Sequence, residues 1–308
     1  MSDLFNFAEF DVGSHVGRRR TLAETILAAH EHLRGAPLQI FLSSPRGGGL
    51  RLADAELAAA AAAVAAVGAR LYVHAPYTIN LCRSAEAPPL LVATLRAAAA
   101  IGARGVVVHV GKSVGLADAA ANMRASFAAA AAEATAQCPL LLETPAGQGT
   151  ETLTDPDEFF GFVADAYVSS PVSSHVSSPV SSSSPVSSFA SSSSPVSSHV
   201  SSSSPVSSTS PVSSSASSPA SSFASSSPSV GICVDTCHVF ACGHDPVEYV
   251  KKAIGTGLLR LVHFNDSQGA CGSCVDRHAS AGTGRIGAGP LREVAHVCRD
   301  AAIDMLVE

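Results

Sequence analysis

The feature that most constrains this chain is a repeating unit in which a short apolar run is followed by an alanine-rich stretch of helical character. The pattern predicts eight strands in strict alternation with seven helices. Such alternation indicates a parallel sheet with helical crossovers, and eight units most naturally close into a barrel. We therefore predict an α/β fold, a (β/α)8 barrel in which the eighth helix is missing.

Six of the predicted strands end on a residue that can bind a metal ion: His74, His109, Glu143, Asp235, His263 and Glu308. A single His at a strand end is usually a core-edge residue, but six in register are different. In a barrel the carboxyl ends of the strands converge on one face, where the active site is built. Three imidazoles and three carboxylates meeting there without Lys or Arg would be unstable as bare side chains, and divalent cations remove that problem.

Two shorter motifs add ligands of the same kind. "DTCH" places Asp235 and His238 three residues apart, and "VDRH" places Asp276 and His278 two residues apart. Five imidazoles with four carboxylates suit zinc, with manganese as an alternative at an oxygen-rich position. Nine ligands exceed the needs of one tetrahedral ion and suit two or three. Three Zn²⁺ would leave a local charge of about +2, which favours an anion such as a phosphodiester.

Residues 169–229 interrupt the repeating pattern, since 36 of these 61 residues are Ser and none is Asp, Glu, Lys or Arg. Because the segment has little large apolar surface, we predict that it is disordered. Subtracting it leaves 31 residues between Glu143 and Asp235, close to the spacings of 35 and 34 before them. We interpret residues 1–168 as the first part of the barrel, with strands one to five, and residues 230–308 as the second, with strands six to eight.

The remaining composition favours an intracellular protein. We expect neither a secretory signal nor a membrane span, because no run reaches the roughly 18 apolar residues that a span needs. The eight Cys are scattered, unlike those of a disulfide-stapled secreted domain, so we expect a reducing compartment, cytoplasm or nucleus. We do not predict thiolate ligands from Cys237 or from "CGSC" (Cys271, Cys274), and "GTGRIG" follows no strand and is rejected as a cofactor site.

Several longer motifs, in this order, resemble those of the endonuclease IV family of apurinic/apyrimidinic endonucleases: "HAPYTIN", "VVVHVGKS", "LLLETPAGQGT", "GICVDTCHVFACGHD" and "HFNDSQGACGSCVDRHASAGTGRIG". The resemblance covers residues 11–168 and 230–308. It implies a TIM barrel that binds three zinc ions through the nine candidate ligands. It also implies a monomeric DNA repair enzyme that acts on double-stranded DNA containing abasic sites.

The resemblance further implies the reaction and the roles of single residues. Metal-bound hydroxide would hydrolyse the phosphodiester 5′ to the abasic site, leaving a 3′-hydroxyl and a 5′-deoxyribose phosphate, with trimming of blocked 3′ ends as a further activity. Glu143 would bridge two ions, Arg46 would probe the gap left by the missing base, and Tyr77 would wedge into the minor groove. The net charge of −6 is unusual for a DNA-binding protein, but three Zn²⁺ would neutralise it.

Two other classes of function stay open on the sequence alone. The first is a sugar isomerase or epimerase of the related xylose-isomerase-like barrels, whose sites use fewer ligands. The second is an inactive, truncated DNA-binding relative, which we consider because the sequence ends at Glu308, a predicted ligand.

Overall fold

The computed structural model describes residues 9–168 and 229–308. Its strands in chain order are β1 (Val12–His15), β2 (Leu38–Phe41), β3 (Leu71–His74), β4 (Val106–His109), β5 (Leu140–Glu143), β6 (Val230–Asp235), β7 (Leu259–His263), β8 (Asp266–Ser267), β9 (His278–Ala279) and β10 (Asp304–Val307). Eight of them form a closed barrel in the order β1, β10, β7, β6, β5, β4, β3, β2. All neighbouring barrel strands are parallel, which confirms the predicted fold class.

The helices of the described residues are α1 (Leu22–His32), α2 (Asp54–Val67), α3 (Pro89–Ala100), α4 (Ala119–Ala131), α5 (Pro156–Val168), α6 (Thr236–Ala241), α7 (Pro246–Gly255) and α8 (Ala288–Asp300). Seven of them match the predicted helices. The short α6 was not predicted; it begins because the Asp235 carboxylate accepts a hydrogen bond from the His238 backbone N–H at 3.0 Å, which caps the helix. Only Glu308 follows β10 in the sequence.

The barrel interior is built in layers because side chains alternate between the two faces of each strand. One buried layer contains an apolar side chain from each of six strands: Tyr72, Val107, Leu141, Cys233, Leu261 and Leu306. Two residues further along the same strands come His74, His109, Glu143, Asp235, His263 and Glu308. The polar candidates therefore lie directly above an apolar floor, at the carboxyl end of the barrel.

The opposite faces of the strands pack against the helices and form the main hydrophobic core. Val73, Val108 and Leu142 are at most 1% exposed there. At the amino-terminal end of the barrel, the Tyr72 hydroxyl donates a hydrogen bond to Asp304 at 2.9 Å, and Arg70 pairs with the same carboxylate at 2.7 Å. The interior is thus closed by an ion pair at one end and lined with metal-binding residue types at the other.

The two described segments form one barrel. Strand β6 pairs with β5 in parallel register, with Glu143 opposite Cys233. The predicted disorder of the Ser/Pro stretch falls on residues 169–229, of which 169–228 lie outside the described residues. Among the helices described, we find none with the length and apolar character needed to cross a membrane.

Candidate metal centre

The structure brings all nine predicted ligands together at the carboxyl end of the barrel. Their donor atoms fall into three groups, each with all members within 4.8 Å of one another. The groups are His74, His109 and Glu143; then Glu143, Asp235, His263 and Glu308; and lastly His238, Asp276 and His278. Glu143 belongs to two of them. Three such groups could hold up to three ions, two of them with Glu143 as a ligand.

Glu143 is the centre of this arrangement. Its side chain is fully buried at the end of β5. One carboxylate oxygen lies 2.9 Å from His263 Nδ1, and the other lies 3.0 Å from His109 Nε2 and 3.2 Å from His74 Nε2. A buried carboxylate is expensive unless cations or hydrogen-bond donors surround it. The two oxygens of Glu143 therefore face imidazole nitrogens from three other strands, β3, β4 and β7.

Backbone carbonyls set the tautomers of two imidazoles. His74 Nδ1 lies 2.7 Å from the Ala75 carbonyl oxygen, and His238 Nδ1 lies 2.9 Å from the Thr144 carbonyl oxygen. A carbonyl can only accept, so Nδ1 carries the proton in both rings. The Nε2 lone pairs then point into the site, as they do in metal-binding histidines oriented by a second hydrogen bond.

The Gln39 side-chain amide sets the tautomer of His263, here through Nε2 in place of Nδ1. The Gln39 amide nitrogen donates to Glu308 at 2.6 Å, which leaves its amide oxygen as the acceptor for His263 Nε2 at 3.0 Å. His263 Nδ1 therefore presents its lone pair toward Glu143 and Glu308. Gln39 lies on β2 and is fully buried, so one amide orients a ligand from β7 and a ligand after β10.

Asn265 links two further carboxylates. Its amide nitrogen donates to Asp235 at 2.7 Å, and its amide oxygen accepts the Glu308 backbone N–H at 3.0 Å. The Thr236 hydroxyl lies 2.6 Å from the Asn265 carbonyl oxygen and adds to this network. Two buried amides thus hold Glu308 in position after the last strand. The Gln39 amide nitrogen donates to the Glu308 carboxylate, and the Asn265 amide oxygen accepts the Glu308 backbone N–H.

The loop between β7 and α8 contributes the third group. Strands β8 and β9 form a two-residue antiparallel ribbon that positions Asp276 and His278. One Asp276 carboxylate oxygen lies 3.3 Å from His238 Nε2 and 3.2 Å from His278 Nε2. The buried Asp266 carboxylate fixes the far side of this loop by accepting N–H bonds from Gly282 and Gly284 at 3.0 and 2.8 Å.

The protonation of the cluster without metal follows from its packing. Burial alone would lower the pKa of His109, but the Glu143 carboxylate outweighs it and raises that pKa. The same balance, with other acidic neighbours, raises the pKa of His238, His263 and His278. Burial likewise tends to raise the pKa of Glu143, Asp276 and Glu308, but the imidazoles hold all three well below their usual values.

These pKa shifts predict how pH affects the stabilisation by metal. The raised imidazole pKa values stabilise the metal-free fold below about pH 6.5, the unfolded value, and that contribution is lost as pH rises through the folded values. The lowered carboxylate pKa values stabilise the metal-free fold above about pH 4.3, the unfolded-state value. That stabilisation is lost only as the pH falls through the pKa values of the folded state. Above neutrality the metal-free fold is therefore weakened, while protons compete less for the ligands.

We expect added Zn²⁺ to raise the Tm more at pH 8 than at pH 6 in thermal melts of metal-stripped protein. An equal or smaller shift at pH 8 would contradict the proposed ligation by these imidazoles.

The residues present fit a metal centre on two observations. The His278 Nε2 atom is buried and faces carboxylate oxygens of Asp276 and Asp235 at 3.2 and 3.6 Å, but it forms no well-aligned hydrogen bond among the described residues. The donor set of imidazole nitrogens and carboxylate oxygens also suits zinc. Cys237 forms a further group of donor atoms with Asp235 and His278, and in the metal-free protein burial raises the pKa of its thiol to about 11.

A cavity of about 290 Å³ opens from this cluster to the surface. Tyr77 lies on its rim with 53% of its surface exposed, and its ring centroid is 5.3 Å from that of His109. The Tyr77 backbone N–H donates to Pro45 O at 3.0 Å, which docks the loop carrying Arg46 beside it. Arg46 is exposed and does not line the cavity. Lys112 lines the cavity, and its ammonium lies 3.4 Å from the Glu151 carboxylate.

Comparison with known proteins gives one consistent result. The family model described as a xylose isomerase-like TIM barrel matches residues 222–297. A protein of Symbiobacterium thermophilum named probable endonuclease 4 is 31% identical over 291 residues, covering 90% of this chain and 84% of that protein. Another of that name, from Streptomyces avermitilis, is 28% identical over 322 residues, covering 96% of this chain and 84% of its own length.

The fold agrees with this family assignment. The crystal structure of endonuclease IV from Thermus thermophilus superposes with a TM-score of 0.66 at 23% identity, covering 96% of this chain and 91% of that one. At this identity the superposition supports the barrel architecture, while the relative with 31% identity over nearly the whole chain identifies the family. On both sequence and fold, the chain belongs to the endonuclease IV family of xylose isomerase-like TIM barrels.

Proposed function

We propose that this protein is a zinc-dependent endonuclease that hydrolyses the phosphodiester 5′ to abasic sites in double-stranded DNA. The observation that carries the proposal is the set of three donor groups at one end of the barrel, two of which share Glu143. Such an arrangement suits phosphodiester hydrolysis, in which the attacking and leaving oxygens must both be stabilised. Family membership supports the same reaction class.

The residues divide the work as follows. His74 and His109 would hold one ion with Glu143, and His238, Asp276 and His278 would hold another. Asp235, His263 and Glu308 would complete a third site with Glu143. Divalent cations at these positions would supply Lewis acidity and lower the pKa of water near a bound phosphate. The hydrogen bonds from Gln39 and Asn265 would keep the ligands oriented and reduce the reorganisation that the reaction needs.

The site can accommodate an anion despite its acidic ligands. Three Zn²⁺ would outweigh the charge of the four carboxylates, and Lys112 adds a cation on the cavity wall. The cavity is too small for a base-paired duplex and fits a flipped-out nucleotide. An abasic nucleotide is cheaper to unstack than an intact one, which would favour the damaged site.

The test is incision of a labelled duplex that carries one abasic analogue, with and without chelator, alongside metal analysis of the purified chain. We expect two or three zinc ions per chain, a 3′-hydroxyl product and loss of cutting in EDTA that added Zn²⁺ restores. Full metal occupancy with uncut abasic DNA would indicate the inactive relative instead. A single bound ion together with conversion of a keto sugar would indicate the epimerase.

Tyr77 gives a prediction for DNA recognition. Tyr77→Ala removes the exposed ring at the cavity rim, and a stacking side chain is worth about 1–3 kcal/mol per base. We expect kcat/KM for the abasic duplex to fall roughly tenfold or more, mostly through KM, with zinc content unchanged. Tyr77→Phe keeps the ring and should stay near the parent. If both variants lose activity equally, the hydroxyl and not the ring is the important group.

A further inference from the structure

Two cysteines meet beside the metal-binding loop without belonging to the metal centre. Cys242 follows α6 and is half-buried, whereas Cys274 lies in the loop between β7 and α8 and is exposed; both are free thiols. Their sulfurs lie 3.1 and 3.2 Å from the position that a Cβ on Gly147 would occupy. The two sulfurs are therefore no more than about 6.3 Å apart. Gly147 has φ +74°, a conformation that disfavours a side chain, and it leaves this space to the sulfurs.

The backbones around the two thiols are already held together. The Cys274 N–H donates to Ala241 O at 2.9 Å, and the Gly272 N–H donates to Phe240 O at 3.1 Å. Because the Ala241 carbonyl is bonded directly to the Cys242 nitrogen, the first of these bonds keeps the two cysteine Cα atoms within roughly 7 Å. Disulfides span Cα separations of about 4.4–6.8 Å, so little more than side-chain rotation would close the gap.

We propose that Cys242 and Cys274 form a peroxide-reactive pair, and that its oxidation to a disulfide fixes the loop that carries Asp276 and His278. The exposed Cys274 sulfur attacks one oxygen of hydrogen peroxide; the O–O bond breaks, giving a sulfenic acid at Cys274 and one water. The Cys242 sulfur then displaces the sulfenic hydroxyl, which leaves with the thiol proton as a second water. The two sulfurs lose two electrons in total, and the peroxide gains them.

The order of events follows from exposure. Cys242 is half-buried, with its Sγ 3.2 Å from the Pro145 carbonyl oxygen, so peroxide reaches the exposed Cys274 first and Cys242 attacks the resulting sulfenic acid. Cys271 is the competing partner, since it stands three residues before Cys274 in "CGSC". The Cys274 sulfur, however, shares the space beside Gly147 with Cys242, which favours a bond from α6 to the loop over one within the loop.

The first experiment maps the cross-link and does not depend on the proposed nuclease activity. The reduced full-length chain is treated with hydrogen peroxide, alkylated and digested with chymotrypsin without reductant. Cleavage after Phe240, Tyr249 and Phe264 would put Cys242 on one peptide and Cys271, Cys274 and the buried Cys298 on another, residues 265–308. We expect the two peptides to be linked in the parent chain and in Cys271→Ser, and unlinked in Cys274→Ser. Dithiothreitol should release the link.

Two results would overturn the proposal. One is a link that requires Cys271, and the other is a reduced Cys242 in peroxide-treated protein whose circular dichroism remains native. If Cys274→Ser fails to fold, Cys274→Ala serves as the second variant and should also lose the link.

A second measurement tests the effect on the loop. A disulfide that closes a loop of this size stabilises a fold, and we expect a Tm higher by roughly 5 °C in the oxidised parent. The metal-loaded oxidised protein should also release zinc into EDTA severalfold more slowly than the reduced protein; this readout alone rests on the proposed metal site. A Tm increase of the same size in peroxide-treated Cys242→Ala would refute the assignment of the stabilisation to this pair.

Discussion

Replacing Glu143 with glutamine is expected to lower the rate of incision at an abasic site by about a thousandfold. The substitution keeps the size of the side chain but removes the negative charge that faces His74, His109 and His263. Because Glu143 belongs to two of the three donor groups, one substitution weakens two ion sites. Metal analysis should show fewer than the parental number of zinc ions, and single-turnover cleavage of a labelled duplex gives the rate.

The matched control is Glu133→Gln. Glu133 is a partly exposed glutamate after α4 that pairs with Arg96 of α3 at 2.9 Å and belongs to none of the donor groups. It should leave zinc content and incision unchanged. Parental cutting by Glu143→Gln at full metal occupancy would exclude a bridging role for this carboxylate.

Glu308→Ala should also have a large effect on incision. Glu308 lies 3.4 Å from His263 Nδ1, and one of its oxygens accepts the 2.6 Å hydrogen bond from Gln39. Removing it takes a carboxylate from the group that also contains Asp235, and it leaves the buried Gln39 amide nitrogen with His15 Nδ1, 3.0 Å away, as its remaining hydrogen-bond neighbour among the described residues. We expect the loss of about one zinc ion per chain and incision below detection, as judged by metal analysis and the same cleavage assay.

Two further variants separate ligand loss from damage to the fold. Glu308→Gln keeps the side-chain volume and should retain a parental far-UV circular dichroism spectrum while still losing metal. Glu293→Ala removes an exposed glutamate of α8 that pairs with Lys251 at 2.9 Å, and it should be silent in both assays. Unchanged activity in Glu308→Ala would remove Glu308 from the ligand set.

Much of the site could be predicted because each candidate ligand at a strand end is recognisable from the few residues of its own strand. In this fold the last residue of each barrel strand lies at the carboxyl end of the barrel, independent of the sequences of the neighbouring strands. An apolar run that ends in His or Glu therefore predicts a side chain at the face where the active site is built. His109 and Glu143 are register partners on β4 and β5, and Asp235 and His263 are partners on β6 and β7. The strand ends alone therefore indicated which side chains meet.

The supporting contacts could not be predicted because they join residues distant in sequence. Gln39 contacts His263 and Glu308 across the barrel, and its only sequence signal is a polar residue in the apolar run "LQIF". The β8–β9 ribbon was missed because two-residue strands carry no periodic pattern. The grouping of nine ligands into three sets also depends on distances that no spacing rule provides.

Metal ions bound at this site would connect the two stretches of chain on either side of residues 169–229, whose strands β5 and β6 are paired. His74, His109 and Glu143 come from residues before 169, and the other six candidates come from residues after 229. Any ion that Glu143 shares with Asp235, His263 and Glu308 binds both stretches at once, and ligands that bind only the assembled state shift the equilibrium toward it. If the chain were cut between α5 and β6, the two fragments would then assemble into the barrel in a metal-dependent way. Zinc would stabilise the assembled fold in addition to its part in hydrolysis.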